Sequence, residues 1–170
     1  PPDRGRAGDV RRAALTMGSP PPFIPPGATL GVMGGGQLGR MFVQAAQQMG
    51  YFTAVLDVDP ASPAGLVAHY HVQSGYLDEQ GLAQLMQRSA AITTEFENVP
   101  AAALITLGAH RPVAPGADAV AICQDRALEK THFGECGVPC AGHAVIETDE
   151  QLEAVDASAL LPGILKTSKL

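Results

Sequence analysis

The sequence lacks the cysteine pattern that a disulfide framework or a ribbon-type zinc site requires. Its three cysteines, Cys123, Cys136 and Cys140, are odd in number and contain no CxxC pair, which points to a reducing, cytoplasmic setting. His132 and His143 lie close to Cys136 and Cys140, but this spacing matches no standard ligand pattern, and Gly137 and Pro139 interrupt it. No apolar run approaches the roughly 18–20 residues that cross a bilayer, so no membrane role is expected. There is no GxxxxGK(S/T) string, which excludes a P-loop mechanism. The serines have no GxSxG context, and no nucleophile stands beside an obvious base. Basic charge is scarce as well. Residues 1–16 hold Arg4, Arg6, Arg11 and Arg12, and the remaining 154 residues carry 15 acids against 7 bases. That balance gives no electrostatic footprint for nucleic acid and favours small-molecule ligands.

What is present suits a compact α/β protein. Hydrophobic residues make up 46% and charged residues 16% of 170, enough to bury a core and too apolar for a solvated tail. Residues 1–28 read as a disordered or extended leader, because Pro20, Pro21, Pro22, Pro25 and Pro26 support neither helix nor central strand. The Arg-rich start has no apolar stretch behind it, so no secretory signal is expected, and Met17 is a candidate first residue.

From residue 29 the pattern alternates. Strands are expected at 29–33, 52–56, 70–73 and 90–94, and helices at 37–49, 79–88 and 100–107. In the first helix Leu38, Met41, Phe42, Ala45, Ala46 and Met49 fall at the spacing of one face. This order predicts a Rossmann-like parallel sheet, doubly wound, with ligands at the carboxyl ends of its strands. The rule brings residues 34–39, Asp57 and the 95–98 loop to one edge. From about Pro115 the texture changes, with a helix expected over 117–135, a short helix at 149–155 and strands at 141–146 and 163–167. The division expected is therefore an α/β domain over 29–115 and the beginning of a second domain over 116–170.

Gly34-Gly35-Gly36-Gln37-Leu38-Gly39 satisfies GxGxxG between a strand and a helix, where glycines permit a tight turn and a helix N-terminus offers amides to an anion. Taken alone it suggests a dinucleotide site, with Asp57 as the ribose-binding acid and an NAD-dependent oxidoreductase as the outcome. The full string, GGGQLGRM over 34–41, is more specific. It is followed by Leu56-Asp57 with Asp59-Pro60, by Thr94-Glu95-Phe96-Glu97-Asn98-Val99-Pro100, by Gln124-Asp125-Arg126 with Glu129-Lys130, and by Ile164-Leu165-Lys166-Thr167.

In this order the strings resemble 5-(carboxyamino)imidazole ribonucleotide synthases, ATP-grasp enzymes of purine biosynthesis, and the resemblance covers residues 29–170. It implies a pre-ATP-grasp α/β domain followed by the beginning of an ATP-grasp domain. The implied reaction joins bicarbonate to 5-aminoimidazole ribonucleotide, using ATP and Mg2+, through a carboxyphosphate intermediate. It also implies a homodimer. Gly36, Gln37, Leu38, Glu95 and Glu97 would then serve the ribonucleotide, with one of the two acids facing the cleft, and Arg126 and Lys166 would contact ATP phosphates. The resemblance puts the magnesium ligands and a phosphate-covering loop beyond Leu170, so residues 1–170 alone are expected to be inactive, and no catalytic residue is assigned. A formate-dependent glycinamide ribonucleotide transformylase-like ATP-grasp enzyme is the nearer alternative.

Overall fold

The computed structural model describes residues 23–169. Most of the expected leader, residues 1–22, lies outside the described residues. Its end is tied down: Gly27 N donates to Gly50 O (2.8 Å), and the Tyr51 hydroxyl donates to Ile24 O (2.9 Å).

Four short strands form one parallel sheet: β1 (Thr29–Met33), β2 (Phe52–Leu56), β3 (Tyr70–Val72) and β4 (Ala91–Thr94), in the order β3-β2-β1-β4. Successive side chains of a strand face opposite sides, and the core divides accordingly. Val32 and Val55 pack on one face with Val43 of helix α1 (Gln37–Gln48). Met33, Ala54, Leu56 and Ile92 pack on the other with Leu82 and Leu85 of α2 (Glu79–Arg88) and Leu104 and Leu107 of α3 (Ala101–Gly108). Helices on both faces of a parallel sheet are the doubly wound arrangement expected from the alternation.

Local signals account for the element ends. Asp78 caps α2 by accepting from Gly81 N (2.7 Å), which satisfies one of the free amides of the first turn. The Arg111 Nε lies 3.0 Å from Met86 O and 2.9 Å from Ser89 O, covering carbonyls at the other end of that helix.

Three expectations need correction. The α1 helix stands where predicted, but its buried residues are Gly39, Val43 and Ala46, while Leu38, Met41 and Met49 are exposed. The helix turns a small-residue face to the sheet because Gly39 has to approach the strand end closely. The single helix expected over 117–135 is two, α4 (Ala117–Cys123) and α5 (Arg126–Glu135). Asp125 takes an extended conformation and caps α5 through the amides of Ala127 and Leu128, which breaks the run. The strands expected at 141–146 and 163–167 do not form. A strand needs a hydrogen-bonded neighbour and a face to bury, and residues in 141–146 and 163–167 are all exposed. The helix expected at 149–155 is present as α6 (Asp149–Ala154), followed by a short 3-10 turn (Ala157–Leu160). Among the described residues no helix is long and apolar enough to cross a membrane.

Candidate functional site

The glycine turn lies where three parallel strands end side by side. Met33 pairs in register with both Leu56 and Thr94, so Gly34, Asp57 and Glu95 follow the three ends in one row. Gly34 N donates to Leu56 O (3.1 Å) and Glu95 N donates to Met33 O (3.1 Å). The chain then reverses through Gly34 at φ +104°, a conformation that residues with a Cβ rarely adopt, and enters α1.

A helix that starts here presents free amides and the positive end of its dipole. The protein fills that position with its own carboxylates. Gly35 N donates to Asp57 Oδ2 (2.7 Å), Gly36 N donates to Glu95 Oε1 (2.8 Å), and Gly39 N donates to Glu95 Oε2. Hydrogen bonds to an ionised acceptor are among the stronger ones in proteins. Gly39 makes this geometry possible: a Cβ there would lie 2.6 Å from the Gly34 carbonyl oxygen and 2.9 Å from Glu95 Oε2.

Asp57 is engaged further. Its Oδ1 accepts from Asp59 N (2.9 Å), and its Oδ2 also accepts from the Tyr76 hydroxyl (3.0 Å). Burial, then the neighbouring Asp57 charge, push the Tyr76 phenol far above its ordinary value of 10.0, so it remains a neutral donor. His71 Nε2 stands 3.3 Å from Asp57 O and 3.4 Å from the Oγ of buried Ser62. Gly35, Gly36 and Gly39 thus spend their amides on the chain's own carboxylates, which leaves a dinucleotide pyrophosphate only the Gln37 and Leu38 amides of the turn, and both oxygens of Asp57 already accept hydrogen bonds. The edge instead offers carboxylate lone pairs, which accept from hydroxyls and amines.

Of the residues expected at this edge, Gly36 is the N-cap of α1, Gln37 and Leu38 form its exposed first turn, and Glu95 is half-buried in the turn. Glu97 is exposed. The two acids part because β4 stops at Thr94 and the chain bends. Strand alternation does not separate them, since positions i and i+2 of a strand share a face.

Arg126 and Lys166 meet in a second place. Both line a groove of about 220 Å³ together with Lys130, His143, Ile146 and Ile164. Arg126 Nε donates to Thr167 O (3.2 Å) and its backbone N to Ser168 O (3.0 Å), drawing the 163–168 segment against the start of α5. No acid lines the groove, so it suits an anion with an apolar end, and these residues supply no carboxylate ligand for magnesium. Just outside it, desolvation pushes the Asp125 carboxyl up. Hydrogen bonds from Ser168 and from the Leu128 and Ala127 amides, with Lys169, outweigh that and hold it below the usual carboxylate range. The ion pair with Lys169 spans 3.3 Å. His132, Cys136, Cys140 and His143 assemble no metal cage: a contact of 3.7 Å joins His132 to Cys136, and no group of three or more potential ligands gathers among the described residues.

Tyr76 and Gln124 were not among the expected site residues. The rule that ligands gather at the carboxyl ends of strands would have reached Tyr76, which lies in the loop leaving β3. Gln124 belongs to a motif string but had no assigned partner, and its contacts come from loops more than 20 residues away.

The ribonucleotide synthetase preATP-grasp domain family matches residues 27–124. The chain is 40% identical over 147 residues to an N5-carboxyaminoimidazole ribonucleotide synthase of Brucella melitensis, an alignment covering 86% of this chain and 41% of that protein. A Staphylococcus aureus N5-carboxyaminoimidazole synthetase solved with ADP superposes with a TM-score of 0.71 at 38% identity, covering 76% of this chain and 36% of that one. The Aspergillus clavatus synthase solved with ADP and 5-aminoimidazole ribonucleotide gives a TM-score of 0.69 at 31% identity, covering 78% and 36%. The chain thus spans about 41% of the length of the curated relative.

Proposed function

This chain belongs to the ribonucleotide synthetase preATP-grasp domain family, and from that premise we propose that it is the N-terminal portion of an N5-carboxyaminoimidazole ribonucleotide synthase. The whole enzyme would carboxylate 5-aminoimidazole ribonucleotide with bicarbonate, releasing ADP and phosphate, in the cytoplasm and as a homodimer. The observation that carries the reading is the glycine turn closed by Glu95 and Asp57. It counts against the dinucleotide alternative and supports an edge that accepts from the ribose hydroxyls or the exocyclic amine of a ribonucleotide.

In this reading Gly36, Gln37, Leu38, Glu95 and Glu97 border the ribonucleotide, and Arg126 and Lys166 take the phosphates of ATP. A guanidinium and an ammonium in one groove neutralise the charge of the group being transferred, the main demand of phosphoryl transfer. Bound magnesium would add to that neutralisation, with ligands supplied by other residues. The division expected near Pro115 makes α4 the seam between the two parts, since its Val120 packs in the core of the first.

Phosphate release with bicarbonate and 5-aminoimidazole ribonucleotide tests the proposal. A chain extended over the length of its relatives should be active and residues 1–170 inactive. In the extended chain Lys166→Met should lower turnover by about a hundredfold or more, the scale for losing one preorganised charge partner, with melting unchanged. Full activity in the methionine variant, or in the 170 residues alone, would overturn the site assignment.

A further inference from the structure

The run Gln124-Asp125-Arg126 falls at the break between α4 and α5, and each of its side chains reaches a different neighbour. Asp125 caps α5 and accepts from Ser168 Oγ (3.0 Å). Arg126 holds the carbonyl of Thr167. Gln124 reaches the other way: its Nε2 lies 2.6 Å from Glu97 O and 2.7 Å from Val99 O. Both partners only accept, so the amide nitrogen, with two hydrogens, is the end that faces them. The loop gripped in this way is the one whose first residue, Glu95, is inserted in the glycine turn.

We propose that Gln124 is a positioning residue that makes the 95–99 loop and the Arg126–Lys166 groove order as one unit, so that ATP bound in the groove is felt at Glu95. The inference rests on the two-site reading above and adds the connection between the sites. Three features support it. The two bonds from Gln124 span 27 and 25 residues of chain. The next two residues tie α5 to the 167–169 segment. Finally, between Glu95, held in the glycine turn, and Val99, buried in the core, the loop is exposed at Glu97 and Asn98, and Gln124 meets it there through Glu97 O. Coupling of this kind is reciprocal, so a ligand at the sheet edge would also favour nucleotide binding.

Amide hydrogen exchange on this 170-residue chain tests it, with two variants of opposite chemistry. Gln124→Glu keeps the shape but turns carboxylate oxygens toward two carbonyls, whereas Gln124→Lys offers donors only. The glutamate variant should speed exchange at Glu95 and at Arg126 and Ala127 together, by about tenfold for the loss of two modest hydrogen bonds. The lysine variant should restore protection. Val32 and Val55, in the central strands, should exchange at the parental rate in both and so report an intact sheet. Added ATP should slow exchange at Arg126 and at Glu95 in the parent, but at Arg126 alone in the glutamate variant.

Equal behaviour of the two variants would assign Gln124 a space-filling role and overturn the proposal. So would a parent in which ATP protects Arg126 and leaves Glu95 unchanged. If ATP alters neither amide in the parent, the nucleotide reading of the groove fails and takes the coupling with it, and the paired variants still decide whether Gln124 ties the loop to α5.

Discussion

Replacing Glu95 is the most direct test of the closed glycine turn. The carboxylate accepts from Gly36 N and Gly39 N at the start of α1, where the helix dipole favours negative charge. In Glu95→Gln the side chain keeps its shape and one acceptor, but its NH2 group must face one of the two amides, donor against donor. One charge-assisted bond is lost outright and the other becomes neutral. With such bonds worth about 1.5–3 kcal/mol, the loss should be about 2–3 kcal/mol. For a chain of this size about 2–4 °C of melting temperature accompanies each kcal/mol, so calorimetry should find a drop of about 4–12 °C.

Glu95→Ala carries the same reasoning further, because it removes the occupant and leaves the helix N-terminus open. Inorganic phosphate should then stabilise the alanine variant, by about 1.4 kcal/mol at tenfold its dissociation constant, and leave the parent unchanged. A glutamine variant melting within about 1 °C of the parent would refute the claim that the turn depends on this carboxylate. Equal stabilisation of parent and alanine variant by phosphate would refute the claim that the cradle is filled.

Two further outcomes follow from the same edge. Gly39→Val should destabilise the fold by about 1–3 kcal/mol or more, the range for overpacking, because its Cβ would meet the Gly34 carbonyl oxygen at 2.6 Å; an unchanged melting temperature would contradict the geometry. The Tyr76 phenol is raised above 10.0, so its contribution to stability is complete below that value and is lost as pH rises through the folded one. Absorbance titration near the phenolate band should therefore show a late component that disappears in Tyr76→Phe.

Elements governed by neighbouring residues were legible before the structure. The runs at 29–33, 52–56 and 79–88 coincide with β1, β2 and α2, since an apolar run bounded by glycine, proline or aspartate specifies a short element locally. Counting apolar residues misjudged the face of α1, because the residue that sets its approach, Gly39, has no side chain and adds nothing to a hydrophobic pattern. The break at Asp125 was hidden among helix formers, although aspartate is a strong N-cap residue. The 141–146 and 163–167 segments have strand composition, but pairing is a non-local property that composition does not contain.

The candidate site divides along the same line. The glycine string announces which backbone amides will be exposed, and it is silent on what they will hold, because Asp57 and Glu95 come from 22 and 59 residues away. The missing information is strand order. Once β1 lies between β2 and β4, with Met33 beside Leu56 and Thr94, the residues that follow the three strands must stand together. Two of them are acids. A parallel strand order that sets a carboxylate on each side of a glycine turn gives the Gly35, Gly36 and Gly39 amides internal acceptors, and an uncharged residue after β4 would have left two of them, Gly36 N and Gly39 N, to seek another anion. The identity of residue 95, read together with the order β3-β2-β1-β4, therefore separates a carboxylate-closed turn from a dinucleotide cradle where GxGxxG alone does not.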